Sequence, residues 1–221
     1  MIIDCISDLH GNHLKLDGGD LLIVAGDLTS KDTAKQIINF SLWLSQQKYK
    51  KKIVVSGNHD CMVQKTPEIF RGIPDFVFTY LCDSGTEFEG LKIWGSPWTL
   101  EFEGMNPQCM AFTVKTEEEL AEKWKLIPPD VDILVTHSPP LGFMDEVQDM
   151  FTGKIRHVGS ESLHSRLYAQ WIKPKLHVFG HVHGGYGHIK KIMDIPTTQM
   201  VNASHVNEVY KPVNKPIRIF L

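Results

Sequence analysis

Seven residues of metal-ligand type stand at five places where a short apolar run gives out. Asp8 and His10 follow residues 1–7, Asp27 follows 20–25, Asn58 follows 53–56, His137 follows 131–135, and His181 and His183 follow 175–179. A single Asp-x-His or His-x-His means little. The same plan at five equivalent places means more, because chance would scatter such residues over strand starts, helices and both faces. Three aspartate or asparagine side chains with four imidazoles and no thiolate form an oxygen and nitrogen set. That set suits Mn, Fe, Zn, Ni or Co and not a soft-metal or iron–sulfur site. Seven ligands exceed what one first-row ion takes while keeping a position for water, and match two ions sharing a bridging carboxylate. Two such ions about 3.5–4 Å apart clamp an in-line displacement at phosphorus, and water between them ionises near neutral pH.

This chemistry needs one edge of a sheet. Each of the five runs is apolar and reads as a buried strand. In open α/β sheets ligands bind at the carboxyl ends of the strands, so the seven residues are expected to converge there. Ser30 or Asp32 caps a helix running to about Lys48, striped by Ala34, Ile37, Ile38, Leu42 and Leu44. Lys48, Lys50, Lys51 and Lys52 then suit the negative end of its dipole. The pattern further predicts a strand over 76–81 and a hairpin of 86–88 with 91–94 around Glu89-Gly90. Thr116-Glu117-Glu118-Glu119 is a capping box for a helix ending before Pro128-Pro129. Ser160 caps a helix striped by Leu163, Leu167 and Trp171, and strands near 189–192, 198–201 and 217–220 close the sheet. Segment 95–109, rich in Gly, Pro and aromatics, and segment 141–159, longer than most connections, read as loops that shape a pocket.

The 221 residues predict one α/β domain spanning 1–221. With 42% hydrophobic and 22% charged residues, the chain can bury a full core without covalent staples. A formal charge of −3 and a pI near 6.4 exclude a long-range field for nucleic acid or an anionic membrane. Cys5, Cys61, Cys82 and Cys109 are scattered, with no Cys-x-x-Cys pair, which predicts reduced thiols and neither a disulfide framework nor a structural zinc. The longest apolar run, 21–25, is too short to span a bilayer. Residues 1–3 lead straight into a strand, leaving no room for a cleavable signal. The expected location is cytoplasmic and the expected state a monomer or homodimer.

Asp8-x-His10, Gly26-Asp27, Gly57-Asn58-His59-Asp60, His137 and Gly180-His181-x-His183 resemble, in content and order, the calcineurin-like metallophosphoesterase superfamily. Gly95-Ser96-Pro97-Trp98, residues 156–159 and 173–183, Gly185-Tyr186-Gly187 and Val201-Asn202-Ala203-Ser204 are similar to its metallophosphoesterase-domain-containing (MPPED-like) phosphodiesterases. The resemblance covers nearly the whole chain and implies a four-layer α/β/β/α sandwich of two mixed sheets. It implies Asp8, His10, Asp27 and His183 on one divalent ion, and Asp27, Asn58, His137 and His181 on the other, with Asp27 bridging. Manganese is the first candidate, with Fe, Zn, Ni and Co as the others. Some vertebrate relatives carry glycine where this chain has His181; here the position is intact. In that scheme His59 donates to the leaving group or to a phosphoryl oxygen, and Asp60 orients it. The implied activity is hydrolysis of a phosphodiester, a cyclic nucleotide or a related small substrate, by a metal-bridging hydroxide.

Three more residues are substrate candidates: His13, otherwise a surface imidazole, and Arg156 and His157 in the long loop. Trp98, Phe102 and Phe151 stack a base, line the rim or belong to the core, and His164, His177, His188 and His205 read as structural. A serine/threonine protein phosphatase is disfavoured, because Gly26-Asp27-Leu28-Thr29-Ser30 lacks Asp-Arg-Gly and Asp60 stands where those enzymes have Glu. A nuclease of the superfamily would bring extra domains and a basic duplex path, and neither is visible. The reading from another class is a nucleotide-binding or scaffold module with little turnover. Proteins on that path often lose ligand residues, and all seven are present.

Overall fold

In the computed structural model, which describes residues 1–102, 106–148, 152–169, 171–191, 195 and 198–221, side-chain alternation along the strands decides the layers. Phe151 and the end of the 189–192 strand lie outside the described residues. The first half of the chain runs β1 (Ile2–Ile6), β2 (Gly19–Ala25), α1 (Ala34–Ser45), β3 (Tyr49–Val55), α2 (Cys61–Lys65), α3 (Glu68–Arg71) and β4 (Thr79–Tyr80). It continues through β5 (Ser84–Phe88), β6 (Leu91–Ser96), β7 (Thr99–Leu100), β8 (Thr113–Val114), α4 (Glu117–Trp124) and β9 (Ile133–Thr136). Then follow β10 (Glu146–Gln148), β11 (Ile155–His157), α5 (Glu161–Tyr168), β12 (Leu176–Phe179), β13 (Gly187–Ile189), β14 (Gln199–Asn202) and β15 (Ile217–Phe220).

Among the described residues the strands form two main sheets, ordered β15-β1-β2-β3-β4 and β13-β14-β12-β9-β6-β5. β1 to β4 pair in parallel and β15 closes the edge antiparallel to β1. In the second sheet β14, β12, β9 and β6 are parallel, with antiparallel β13 and β5 at the edges. Ile3, Cys5, Ile23, Ile53 and Val55 of the first sheet meet Ile133, Val135, Val178 and Val201 of the second in one core. The alternate residues Leu22, Val24 and Val54 face outward onto Ile37, Phe40 and Leu44 of α1. Leu134 and Phe179 likewise face Leu120, Trp124, Leu163 and Leu167 of α4 and α5. The result is the four-layer α/β/β/α sandwich. Each fully buried aliphatic side chain is worth about 1.5–3 kcal/mol, so three cores hold the fold and Cys5, Cys61, Cys82 and Cys109 remain free.

Several predicted elements shift. Thr33, not Ser30 or Asp32, caps α1, accepting from Gln36 N, and the buried face is Ile37, Phe40 and Leu44. Ile38 and Leu42 of the expected stripe face solvent. The lysines at 50–52 belong to β3, where Lys50 reaches Asp20 at 2.8 Å and the buried Lys52 donates to Val77 O at 3.2 Å. The strand expected over 76–81 shrinks to β4, because Val77 N turns back to Pro74 O and Phe76 is 85% exposed. Trp171 lies beyond the end of α5 and faces solvent. Among the described residues no helix is long and apolar enough to cross a membrane.

Candidate metal centre

The loops leaving β1, β2, β3, β9 and β12 meet at one edge of the sandwich. Backbone pairing carries on past the strand ends: Asp8 N donates to Gly26 O, His10 N to Asp27 O, Ser7 N to Ala203 O and Gly180 N to His137 O, all at 2.8–3.1 Å. These contacts hold four of the ligand candidates in the left-handed region, Asp8 at φ 51°, His10 at 44°, Asp27 at 52° and His181 at 68°. Each such non-glycine conformation costs about 1–3 kcal/mol, a pattern that collects at functional sites. Two glycines make room. A Cβ on Gly57 would lie 2.6 Å from both Asp27 N and His137 Cε1, and one on Gly180 would collide with the Asp8 carboxylate.

Asp8, His10, Asp27 and His183 each offer a ligand atom, and these four atoms lie within 4.8 Å of one another. His10 Nε2 is 3.2 Å from His183 Nε2 and 3.6 Å from Asp27 Oδ2, while His183 Nε2 is 3.5 Å from Asp8 Oδ1. A second cluster abuts the first. Asn58 Oδ1 lies 3.0 Å from both His137 Nε2 and His181 Nδ1, and His137 Nε2 lies 3.3 Å from Asp27 Oδ1. Asp27 thus turns one oxygen to each cluster. The supporting bonds aim the ligands: His137 Nδ1 faces Ala25 O at 3.0 Å, Asn58 Nδ2 donates to Cys109 O at 3.0 Å, and Ser204 Oγ donates to Asp8 Oδ2 at 2.7 Å. His181 Nε2 lies 3.4 Å from Thr99 Oγ1.

The donor chemistry fits cations. With its Nδ1–H committed to Ala25 O, a neutral His137 turns its Nε2 lone pair on Asn58 Oδ1 and Asp27 Oδ1, an arrangement that calls for a proton or a cation between them. Burial pushes His10 down to about 4 and His181 down to about 3, leaving neutral imidazoles, the form that ligates metal. Burial pushes Asp8 and Asp27 up, but the neighbouring imidazoles outweigh it and hold both carboxyls below their usual range, Asp8 chiefly through His183 and Asp27 chiefly through His137. Burial likewise opposes charge on His137 and His183, yet Asp27 raises His137 to about 9 and Asp8 raises His183. The buried carboxylates therefore draw protons onto their neighbours, a demand for positive charge that divalent ions would satisfy.

His59 sits beside the clusters. Its Nε2 is 3.8 Å from Asp27 Oδ2, its ring packs edge-on to His10 at 4.5 Å, and its backbone N donates to Asp27 Oδ1 at 2.9 Å. It borders a cleft of about 480 Å³ with His10, Asn58, Phe102 and Tyr210. The expected role of Asp60 needs correcting. Its carboxylate accepts from Gly57 N (2.8 Å), Leu28 N (3.2 Å), Thr29 N (3.1 Å) and Thr29 Oγ1 (3.2 Å), so it ties two ligand loops together rather than orienting the His59 ring. His13 is also placed elsewhere, stacked on Trp43 of α1 with centroids 5.2 Å apart. Arg156 is exposed on β11, opposite Val147 of β10. His157 bonds Asp145 Oδ1 at 2.8 Å, a contact that raises its pKa, and lines a smaller cavity with Gly184 and Gly185. Trp98 bonds Asp83 Oδ2 at 2.7 Å and packs on Phe112 and the core under α4 and α5, whereas Phe102 lies 6.1 Å from the His181 ring.

Four residues of the site lie outside the seven expected ligands and the other expected site residues. Tyr210 sets its ring 4.8 Å from His10, 5.2 Å from His183 and 6.1 Å from His59. Ser204, Cys109 and Thr99 supply the supporting bonds above. Only Ser204, in the polar stretch after a strand run, has a sequence context that marks it.

The description "Calcineurin-like phosphoesterase" belongs to the family model that matches residues 1–185. "Metallophosphoesterase domain-containing protein 1" of Homo sapiens and its namesake in Mus musculus are each 36% identical over 241 aligned residues, covering 98% of this chain and 70% of theirs. A solved structure, TT1561 of Thermus thermophilus, shares the fold with a TM-score of 0.59 at 16% identity, covering 91% of this chain and 88% of that one. On its sequence, its layers and its clustered Asp and His side chains, the chain belongs to the calcineurin-like phosphoesterase family.

Proposed function

We propose that this protein is a dinuclear-metal phosphodiesterase acting on a small phosphodiester. The observation that carries this reading is the division of Asp27 between two ligand clusters, Oδ2 toward His10 and Oδ1 toward His137. Asp8, His10, Asp27 and His183 would hold one ion, and Asp27, Asn58, His137 and His181 the other, with manganese first among Mn, Fe, Zn, Ni and Co. When bound, such a pair supplies Lewis-acid neutralisation of phosphoryl oxygens and lowers the pKa of water. The chain supplies the rest. Ser204 fixes the Asp8 carboxylate, Cys109 O holds the Asn58 amide with its oxygen inward, and His59 stands on the cleft side to give a proton to the departing alkoxide. The four free thiols support a reducing, cytoplasmic setting.

The test loads the protein with Mn and follows bis(p-nitrophenyl) phosphate. Asn58→Ala is expected to lose bound metal and turnover together. His59→Ala keeps its metal and falls about 10²–10⁴-fold in kcat, the size of a lost general acid. Equal background rates in all three proteins would sink the reading and leave a binding module. Cyclic nucleotides, the class the resemblance implies, belong in the same assay.

A further inference from the structure

Tyr210 stands at the mouth of the metal centre on a rigid turn. Asn207 Oδ1 accepts from Val209 N at 3.2 Å and Lys211 N at 2.9 Å, Tyr210 N donates to Asn207 O at 2.8 Å, and Tyr210 adopts φ 60°. Its ring lies edge-on to His10 and His183, one from each side of the first cluster. Two clefts reach the centre past this ring. One, of about 480 Å³, contains His10, Asn58 and His59; the other, of about 470 Å³, contains His181 and His183; Tyr210 borders both. Each has room for a substituent of nucleoside size, and Tyr210 is the one described residue that lines both.

The clefts differ in charge. Beyond His59 the first opens into a further cavity of about 380 Å³ that also contains Lys31 and Lys65. Among the described residues neither ammonium has an ion-pair partner, and the acid there, Asp32, commits Oδ1 to Met62 N at 2.9 Å. The second cleft instead contains Glu146 and Glu208 and, among its described lining residues, no lysine or arginine.

Resting on the phosphodiesterase reading, we infer that the substrate is a linear, unsymmetrical phosphodiester whose two arms lie on either side of Tyr210. The arm beyond His59 carries a further anionic group, held by Lys31 and Lys65. The arm beyond His183 presents hydroxyl or amino donors to Glu146 and Glu208. Tyr210 is a positioning residue that keeps the arms apart. Because His59 serves the basic side, the bond that breaks joins phosphorus to that arm's oxygen, which leaves with the proton from His59. Water supplies the new oxygen on phosphorus, and the phosphate stays with the arm on the acidic side.

A matched pair of dinucleotides tests this: pApU, with a 5′-phosphate on the adenosine arm, against ApU, with 3′,5′-cyclic AMP as a one-armed diester and bis(p-nitrophenyl) phosphate as the reference. The wild-type protein is expected to favour pApU over ApU and over the cyclic nucleotide by at least about tenfold in kcat/KM, a gap of about 1.4 kcal/mol, releasing 5′-AMP and 5′-UMP. Lys31→Gln and Lys65→Gln bring the pApU-to-ApU ratio toward one through KM. Tyr210→Ala raises KM for pApU, and Tyr210→Phe restores it, because the ring does the dividing. The same tenfold preference should appear in calorimetric Kd values on metal-loaded His59→Ala protein, where turnover does not interfere. Equal handling of ApU and pApU, a preference for the cyclic nucleotide, or release of uridine in place of 5′-UMP overturns the two-arm assignment while leaving a phosphodiesterase. An inert reference substrate overturns the phosphodiesterase reading itself.

Discussion

Asp60 neighbours the proton-donor candidate His59, yet its partners are the Gly57, Leu28 and Thr29 amides and the Thr29 hydroxyl. Burial first, and the Asp27 charge second, push its carboxyl up to about 7, against the pull of those amides. Asp60→Asn would aim an NH₂ at backbone N–H groups. It is expected to cost about 1–3 kcal/mol, and at about 2–4 °C per kcal/mol for a chain of this size the melting temperature should fall by about 2–12 °C. A thermal melt with metal analysis checks it; an unchanged melt with a slower reaction would return Asp60 to orienting His59. The contrast shows what side-chain identity can and cannot say. The seven ligand candidates and His59 are legible because each ends an apolar run, and strand order alone brings such ends to one edge. Asp60 misleads because its partners Leu28 and Thr29 come from another loop. Tyr210, Cys109 and Thr99 are invisible in the sequence because tertiary approach alone delivers them. His13 looks poised beside His10, but the turn sends it to Trp43.

At the scale of elements, long apolar strands and capped helices are readable, and so is the hairpin of β5 and β6, whose Glu89 and Gly90 take φ 48° and 78°. The short strands β7, β8, β10 and β11 are not, and β4 is read too long, because a run of two or three residues has no period and exists through its neighbour. β12 reads as an apolar run, yet His177 on its helix-facing side is fully buried beside Leu134 of β9. Thr136 Oγ1 donates to Ser138 O at 2.6 Å, so His177 Nε2 must donate to Thr136 at 2.8 Å, leaving Nδ1 a buried lone pair without a partner among the described residues. Burial lowers His177 from 6.5 to about 3. The unfolded chain therefore takes up this proton first. The contribution to stability is complete above pH 6.5 and is lost as pH falls toward 3, at up to about 1.4 kcal/mol per unit. His177→Leu removes that loss and leaves Thr136 bonded to Ser138. Urea unfolding at pH 7, 6 and 5 should show the variant gaining about 1–2 kcal/mol on the wild type over that range. Parallel pH curves would refute the assignment.

Over the whole molecule, the site depends on how the chain closes. The family match ends at residue 185, but Ser204 and Tyr210 lie on the later segment that crosses from β14 back to β15. One end of that segment is pinned by Ser7 N to Ala203 O and His205 N to Ser7 O, both 2.8 Å. The other end is pinned by β15 against β1, where register sets Arg218 opposite Asp4. The buried Asp4 carboxylate accepts from Arg218 Nε and Nη2, each at 2.8 Å, and from the Tyr49 hydroxyl, while Nη2 also reaches Gly18 O at 2.9 Å. Arg218→Met strips the guanidinium from a buried anion. Breaking a wholly buried pair costs about 3–5 kcal/mol. Because the Arg218 side chain is 34% exposed, solvent screening reduces the expected loss to about 2–4 kcal/mol. Asp4→Asn combined with Arg218→Met removes the stranded charge while leaving Tyr49 an acceptor, and should recover part of the loss in a double-mutant cycle. Hydrogen exchange adds the link to function: in Arg218→Met the amides of β15 and of residues 205–214 should exchange faster, with β2 and β9 unchanged. A closure that merely tidied the sheet edge would speed β15 alone. Joint loosening of β15 and the Tyr210 turn would show that the last strand holds the wall of the metal centre in place.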